Sequence, residues 1–266
     1  MSAGTPVADT PQRAFKRSLT DGASLLGTFL KTPTSHATEI LADVGFDFVV
    51  VDAEHAPFSR ADIDLMMLSA RAAGIASVVR VASPATEHIL TALDAGAAGL
   101  LVPHVSSLEI VRKVVDATSF AGGHRGFSNS TRAGGYGRLG YQEYRTQCDD
   151  AVSIIAMIED LDAIDRLDEI FAVDRITAAF IGRGDLSAAI GAPGPGDPRV
   201  MAAVEKIAAA ARRHRMPVIA HVGAADDPDV ARLRAMGIES YLIASDQGLL
   251  RQAARRAREQ FSHTAS

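Results

Sequence analysis

The sequence contains a single cysteine, Cys148, among its 266 residues. One cysteine cannot form an internal disulfide, and no N-terminal stretch has the charged and then apolar pattern of a signal peptide. The longest apolar runs have the length of a strand and are far short of the roughly 20 residues that cross a bilayer. We therefore expect a soluble protein of the reducing cytoplasm with no membrane partner.

The sequence also lacks an excess of positive charge. Its 27 Lys and Arg residues against 32 Asp and Glu residues give a formal net charge of −5, which argues against a nucleic-acid partner. No predicted strand ends in a lysine placed for Schiff-base chemistry, because Lys31 lies just past the first strand. This argues against a lysine-dependent aldolase.

Eight short apolar segments alternate with amphipathic helical patterns. Eight parallel strands with intervening helices close a TIM-type (β/α)8 barrel, an α/β fold that reaches about 250 residues as a single domain. An open, doubly wound sheet is the structural alternative. The predicted strands cover residues 24–30, 47–55, 77–82, 99–105, 152–159, 176–182, 217–223 and 240–246.

Three segments fall outside this regular alternation. Residues 1–22 have no sustained apolar period and are predicted to be a flexible lead-in that ends in a short helix, which leaves residues 23–266 for the barrel. Residues 121–151 form an unusually long connection from a helix to a strand. Such a connection lies on the barrel face opposite the active site, where it could serve assembly or reach over a neighbouring subunit. Arginines at helical spacing near the C-terminus indicate a solvated helix face or a subunit contact.

Acidic residues close two successive predicted strands. Glu159 ends the strand SIIAMIE, and Asp185 follows the next strand in FIGRGD. In a barrel their carboxylates would lie close enough to share one ion, and two carboxylates with open positions suit Mg²⁺ or Mn²⁺. The alternative is helix capping, since acidic residues are common at helix N-termini.

Arg80 interrupts the apolar strand SVVRVA. An unpaired guanidinium is costly to bury, so Arg80 should meet a substrate carboxylate, an enolate oxygen or an internal salt-bridge partner. His55 follows Asp52 and Glu54 just past the second strand, and a histidine oriented by a carboxylate is a candidate general base. Asp52 and Glu54 could instead lie beside the metal, and Asp94, at a helix end, could have no role.

Weaker candidates also lie near strand ends. His104 and His221 could line the pocket, although neither has a partner evident in the sequence. The GRG at residues 182–184 leads into a helix start, where backbone amides can bind a carboxylate.

The order of these motifs resembles the HpcH/HpaI class II pyruvate aldolases, which include 4-hydroxy-2-oxoheptanedioate aldolase and 2-keto-3-deoxy sugar-acid aldolases. The resemblance runs from about Ser24 to Phe261 and rests on VVVDAEHAPFS, SVVRVAS, TALDAGAAGLLVPHV, RGFSNSTRAGGYG, IAMIED and FIGRGDLSAAIG. It implies a TIM-type barrel that reversibly cleaves a 4-hydroxy-2-oxo acid into pyruvate, or a related 2-oxo acid, and an aldehyde.

The resemblance also implies roles for individual residues. Glu159 and Asp185 would hold a divalent metal, Mg²⁺, Mn²⁺ or Co²⁺, and Arg80 would contact the ketone oxygen. His55, oriented by Asp94, would act as or through the base that takes the 4-hydroxyl proton. Backbone amides around Gly184 and Asp185 would hold the pyruvate carboxylate. The family also implies a homo-oligomer, a hexamer in which the last helix is exchanged between subunits.

Three positions depart from the family pattern. Met157 stands where glutamine is common, Arg183 where proline is common in G-P-x-D, and Phe29 where tryptophan is frequent. Arg183 could recognise an acidic aldehyde or could be a surface arginine. Two other functions remain open at this point: a lyase acting on CoA thioesters, of the citrate lyase β or malyl-CoA lyase type, and a non-catalytic barrel.

Overall fold

A computed structural model describes residues 10–264 of the protein and confirms the predicted barrel. Eight parallel strands pair in chain order, and the last pairs with the first through Leu26 and Tyr241, so the sheet closes and the open-sheet alternative is wrong. The strands are β1 Leu26–Leu30, β2 Phe48–Asp52, β3 Ala76–Arg80, β4 Gly99–Val102, β5 Ser153–Ile158, β6 Ala178–Ile181, β7 Val218–Val222 and β8 Ser240–Ser245.

Helices follow most of the strands and cover the outside of the barrel. They are α1 Pro11–Thr20, α2 Ser35–Asp43, α3 Arg60–Ala73, α4 Thr86–Ala95, α5 Leu108–Thr118, α6 Tyr141–Ala151, α7 Leu161–Ile164, α8 Leu167–Phe171, α9 Arg183–Ile190, α10 Pro198–His214, α11 Asp229–Ala235 and α12 Asp246–Thr264. Within residues 10–264, none of the helices is both long and apolar enough to cross a membrane.

The strands are apolar on both faces because each face is buried. In β2, Val49 and Val51 pack towards the helices, whereas Phe48 and Val50 fill the barrel interior. Side chains alternate along a strand, so a residue two positions beyond an interior residue also points inward. This alternation decides which residues at the strand ends face the mouth of the barrel.

Helix α1 packs against the barrel and belongs to the fold. Pro11 occupies its first turn, and the Thr10 hydroxyl caps it by accepting from the backbone N–H of Arg13. Phe15 is buried with its ring 5.0 Å from that of Phe48, which lies in the barrel interior. The predicted short helix is therefore present, but from Pro11 onward the lead-in is not flexible. Residues 1–9 lie outside the described residues.

The long connection after α5 lies on the face that the sequence predicts, opposite the carboxyl ends of the strands. It contains α6, whose Tyr144 is buried beside the rings of Phe120 and Phe127. The sequence does not predict α6, because Tyr144 is its only buried residue and the helix shows no apolar face.

The C-terminal helix α12 leaves β8 and is exposed over most of its length. Leu250, on its first turns, is 70% exposed. The helix itself was predicted, and its exchange between subunits stays a prediction.

Candidate active site

The floor of the mouth is formed by four polar side chains at the carboxyl ends of the strands. Lys31, Asp52, Arg80 and Glu159 each lie two residues beyond an apolar residue of the barrel interior, so all four point inward. Asp52 pairs with Arg80 in the register of β2 and β3. Strand alternation and register thus place one carboxylate and one guanidinium side by side.

Asp52 and Arg80 form a buried, bidentate ion pair. Arg80 Nε donates to Asp52 Oδ1 at 2.8 Å, and Arg80 Nη2 donates to Oδ2 at 2.6 Å. Lys31 Nζ lies 2.9 Å from Asp52 Oδ2. Burial alone would raise the pKa of Asp52, but the hydrogen bonds and charges of Arg80 and Lys31 lower it to about 2. Asp52 therefore stays anionic and fixes the orientation of Arg80.

The remaining edge of Arg80 faces the catalytic candidates. Arg80 Nη1 is 3.3 Å from Glu54 Oε2, and the guanidinium carbon lies 4.8 Å from the centroid of the Phe29 ring. Glu54 Oε2 is also 3.6 Å from His55 Nε2. Asp52 Oδ1 accepts from the backbone N–H of His55 at 3.0 Å. The carboxylate beside the His55 ring is thus Glu54.

The structure contradicts a pairing of Asp94 with His55 inside one chain. Asp94 lies in the last turn of α4, and helices of this barrel end at the face opposite the mouth. Its carboxylate lies 3.5 Å from Arg125 Nη2, and its backbone carbonyl accepts from the N–H of Ala133. Contact between Asp94 and His55 would require two chains.

Glu159 and Asp185 come together as predicted. Glu159 is buried and accepts from the backbone N–H of His104 at 2.9 Å. Burial raises the pKa of Glu159 to about 7 against the opposing effect of His104, and the neighbouring Asp185 carboxylate adds a smaller increase. A Cβ atom at Gly182 would lie 2.5 Å from Glu159 Cβ, so glycine is needed for this approach.

This carboxylate pair fits a hard divalent cation better than it fits helix capping. Neither α7 nor α9 has a side-chain hydrogen bond at its N-cap. Two carboxylates that disfavour each other's charge gain from a shared cation. Among residues 10–264, no cluster of three or more His, Cys, Asp and Glu side chains could hold a metal. The remaining ligands would have to be substrate and water.

His104 connects the acidic residues on this side of the mouth. Its backbone is left-handed, with φ of 55°, and its Nδ1 lies 3.2 Å from Asp160 Oδ1 and 3.5 Å from Glu159 Oε1. Burial lowers the pKa of His104, but Asp160, Glu159 and Glu54 together raise it above its usual value. His104, a secondary candidate from the sequence, therefore belongs to the site.

The mouth opens into a cavity of about 610 Å³ whose inner wall is apolar, formed by Phe29, Met157 and Phe180. His221 also lines it, and burial lowers the pKa of His221. The neutral His221 donates from Nε2 to the carbonyl of Ala244 at 3.1 Å.

The structure contradicts a surface position for Arg183, and recognition of an acidic aldehyde stays a prediction. Its side chain is 5% exposed, so it is not a surface arginine. Its Nη1 donates to Asp229 at 2.5 Å and its Nη2 to the carbonyl of His221 at 2.8 Å. Arg183 thus braces β7 against α11 while it also lines the cavity at the mouth.

Lys31 belongs to the site although the sequence does not predict it as a site residue. It lies just past β1, and the alternation Gly27, Phe29, Lys31 points its side chain into the mouth. That periodicity was a usable signal in the sequence.

The raised pKa of Glu159 predicts how pH and metal act on stability. The Glu159 carboxyl group holds its proton more tightly in the folded, metal-free protein than in the unfolded chain. The free energy of unfolding therefore falls as pH rises from 4.5 to about 7. A cation binds the deprotonated pair, so we expect the Tm increase caused by Mg²⁺ to grow over the same range. Melting in EDTA and in Mg²⁺ between about pH 5 and 8 measures both trends.

Glu159→Gln is the control for this titration, because glutamine has no proton to lose. We expect this variant to lack both trends. A wild-type Tm increase with Mg²⁺ that is equal at both ends of the pH range would contradict the prediction.

Comparison with known proteins shows the family of this chain. The family model for HpcH/HpaI aldolase/citrate lyase matches residues 25–253. A pyruvate aldolase of Rhizobium etli is 34% identical over 244 residues, which cover 91% of this chain and 94% of that protein. A hydroxypyruvate/pyruvate aldolase of Sagittula stellata is 29% identical over 256 residues, with 96% and 100% coverage. The crystal structure of a family protein from Burkholderia cenocepacia superposes with a TM-score of 0.88 at 26% identity, covering 94% of this chain and 99% of that one. The chain belongs to the HpcH/HpaI aldolase/citrate lyase family.

Proposed function

We propose that this protein is a divalent-metal-dependent class II aldolase, a carbon–carbon lyase that reversibly cleaves a 4-hydroxy-2-oxo acid to pyruvate and an aldehyde. The observation that carries the proposal is the convergence of the Glu159 and Asp185 carboxylates with Arg80 in one mouth. The aldolase relatives, which match nearly the whole chain, support it.

The substrate's 2-oxo acid end belongs at the carboxylate pair. Glu159 and Asp185 would hold Mg²⁺, Mn²⁺ or Co²⁺, which when bound supplies a Lewis acid for the developing enolate charge. The backbone amides of Gly184 and Asp185, in the first turn of α9, are free to donate to the substrate carboxylate. Helix geometry leaves these amides without partners inside the helix.

Arg80 supplies positive charge at the ketone oxygen. The ion pair with Asp52 occupies Nε and Nη2, which leaves the Nη1 edge as the side that faces the substrate space. Because the guanidinium is fixed before the reaction, little reorganisation is needed when charge develops on the oxygen. Asp52 and Lys31 are positioning residues in this scheme.

Cleavage needs a base at the 4-hydroxyl group. His55 or the adjacent Glu54 takes that proton, the bond between C3 and C4 breaks, and its electron pair forms the enolate. Protonation of the enolate at C3 then gives pyruvate, and C4 leaves as the aldehyde carbon. The His55 side chain is 56% exposed within one chain, which suits a group that meets the distal part of the substrate.

Met157 limits what the pocket can recognise. Its thioether contributes an apolar surface beside Phe29 and Phe180 and no hydrogen-bond donor. Binding of the oxo acid therefore depends on the metal pair, Arg80 and the α9 amides.

We also propose that the protein is a homo-oligomer, a hexamer with exchange of α12. The length and exposure of α12 support this, because a helix that is exposed on its own barrel gains stability by packing on the barrel of another subunit. Light scattering of the wild type and of a chain truncated after Ser245 tests this proposal. An equal number of subunits in the two proteins would contradict the exchange.

Exchange of the pyruvate methyl protons in D₂O tests enolate formation directly. We expect metal-stripped protein to be inactive and Mg²⁺ or Mn²⁺ to restore exchange, because the enolate forms without any aldehyde. Proton NMR measures the loss of the methyl signal, and mass spectrometry replaces it when Mn²⁺ broadens the spectrum.

The control is the Glu159→Gln variant, which lacks one of the two proposed metal ligands, under identical conditions. Absence of exchange in the wild type with every metal would count against pyruvate as the nucleophile. Equal exchange by the wild type and the control would show that free metal is responsible.

A further inference from the structure

A second cavity, of about 260 Å³, lies at the opposite end of the barrel. The start of α1 and the C-terminal ends of α3, α4 and α6 form its walls, together with residues 125–139 of the long connection. The cavity lies at the amino-terminal ends of the strands and takes no part in the proposed aldol site.

Five arginines and no acidic residue line this cavity within the described part of the chain. The arginines are Arg13, Arg71, Arg125, Arg132 and Arg138. Two of them have carboxylate partners that do not themselves line the cavity. Arg132 pairs with Asp64 at 2.6 Å, and Arg125 lies 3.5 Å from Asp94. The other three, Arg13, Arg71 and Arg138, form no ion pair with any residue between 10 and 264. Like charges around one concavity repel each other and attract an anion.

Buried polar groups of the wall also lack partners. Arg125 is 5% exposed, and its Nε and Nη1 have no hydrogen-bond partner among the described residues. Ser77, also 5% exposed, has an unpartnered hydroxyl at the start of β3. Leaving such groups unsatisfied is costly, so each of them points to a missing acceptor. Charge and hydrogen bonding therefore indicate the same kind of ligand by separate routes.

We propose that this cavity binds a small oxyanion, a phosphate or a carboxylate. Guanidinium groups match the planar, paired oxygens of these anions. The volume admits a phosphate ion or a small organic acid but not a nucleotide-sized ligand. Arg71 and Arg138, which are exposed at the rim, form the entrance.

Thermal melting with inorganic phosphate and, separately, with citrate tests the proposal, at an ionic strength held constant with chloride. We expect a saturable increase in Tm with at least one of these anions. In the double variant Arg71→Ala/Arg138→Ala the apparent Kd should rise about 10-fold or more. Both residues are exposed, so the fold should survive, and the Tm without anion verifies this.

The matched control is Arg112→Ala/Arg145→Ala, which removes the same charge from exposed helix positions outside the cavity. It should bind as the wild type does. A non-saturable response, or equal affinity in the two double variants, would overturn the proposal. The second result would place the anion at the mouth, where Lys31 and Arg80 also carry positive charge. Saturation by citrate alone assigns the site to carboxylates, and saturation by phosphate alone assigns it to phosphate.

Discussion

Replacement of Arg80 by alanine is expected to lower kcat for aldol cleavage about 10²- to 10³-fold, the usual loss when one fixed donor to a developing oxyanion is removed. Binding of pyruvate should change less, because the proposed metal at Glu159 and Asp185 and the α9 amides also contribute to it. Steady-state kinetics on a 4-hydroxy-2-oxo acid separates kcat from KM, and methyl exchange reports the enolate step alone.

The alanine variant also leaves Asp52 buried with Lys31 as its remaining cationic partner. Arg80→Lys restores the charge without the planar fork, and we expect it to recover stability but little activity. Arg112→Ala, an exposed helix position, controls for the loss of an arginine as such. Full activity in a folded Arg80→Ala protein would refute the enolate role.

Glu159→Gln is expected to abolish metal-dependent turnover, with a loss on the order of 10³-fold or more, because the buried carboxylate is one of only two proposed ligands. Glutamine keeps the size of the side chain and its carbonyl can still accept from the His104 N–H, so folding should be preserved. Calorimetric titration with Mn²⁺ measures the loss of affinity, and the aldol assay measures the loss of rate.

Asp162→Asn is the matched control for this variant, because it removes an exposed carboxylate three residues away. Asp185→Asn should reproduce the Glu159→Gln defect, since the two carboxylates act as a pair. Retention of Mn²⁺ binding at wild-type affinity in both ligand variants would place the metal elsewhere.

The sequence predicted the barrel and the strand ends well because both follow from local periodicity. The apolar runs are bounded by glycines and helix starts, and the predicted strands contain the observed ones except at Ala76, which begins β3 one residue early. Glu159, Asp185 and Arg80 were found for the same reason, as polar residues at the ends of buried strands.

Other features depend on contacts that no local pattern encodes. Arg183 reads as a cation at the mouth, but Asp229, 46 residues away, neutralises it. Asp94 was assigned by resemblance to a partner that lies at the other end of the same barrel. Helices α1 and α6 are polar except for a few residues, such as Phe15 and Tyr144, and only their tertiary packing identifies those faces.

The close approach of Gly182 to Glu159 has a consequence for redesign of substrate range. The space that a side chain at residue 182 would need is already filled by Glu159 and by Met157 Cε, 3.0 Å from the Cβ position. Position 182 is therefore closed to variation, and any mutational library that includes it would mostly yield proteins with a displaced Glu159 side chain. The flexible side chain of Met157 lies beside the same space. Substitution at residue 157 could therefore introduce a new polar contact to the oxo acid without moving Glu159 and Asp185.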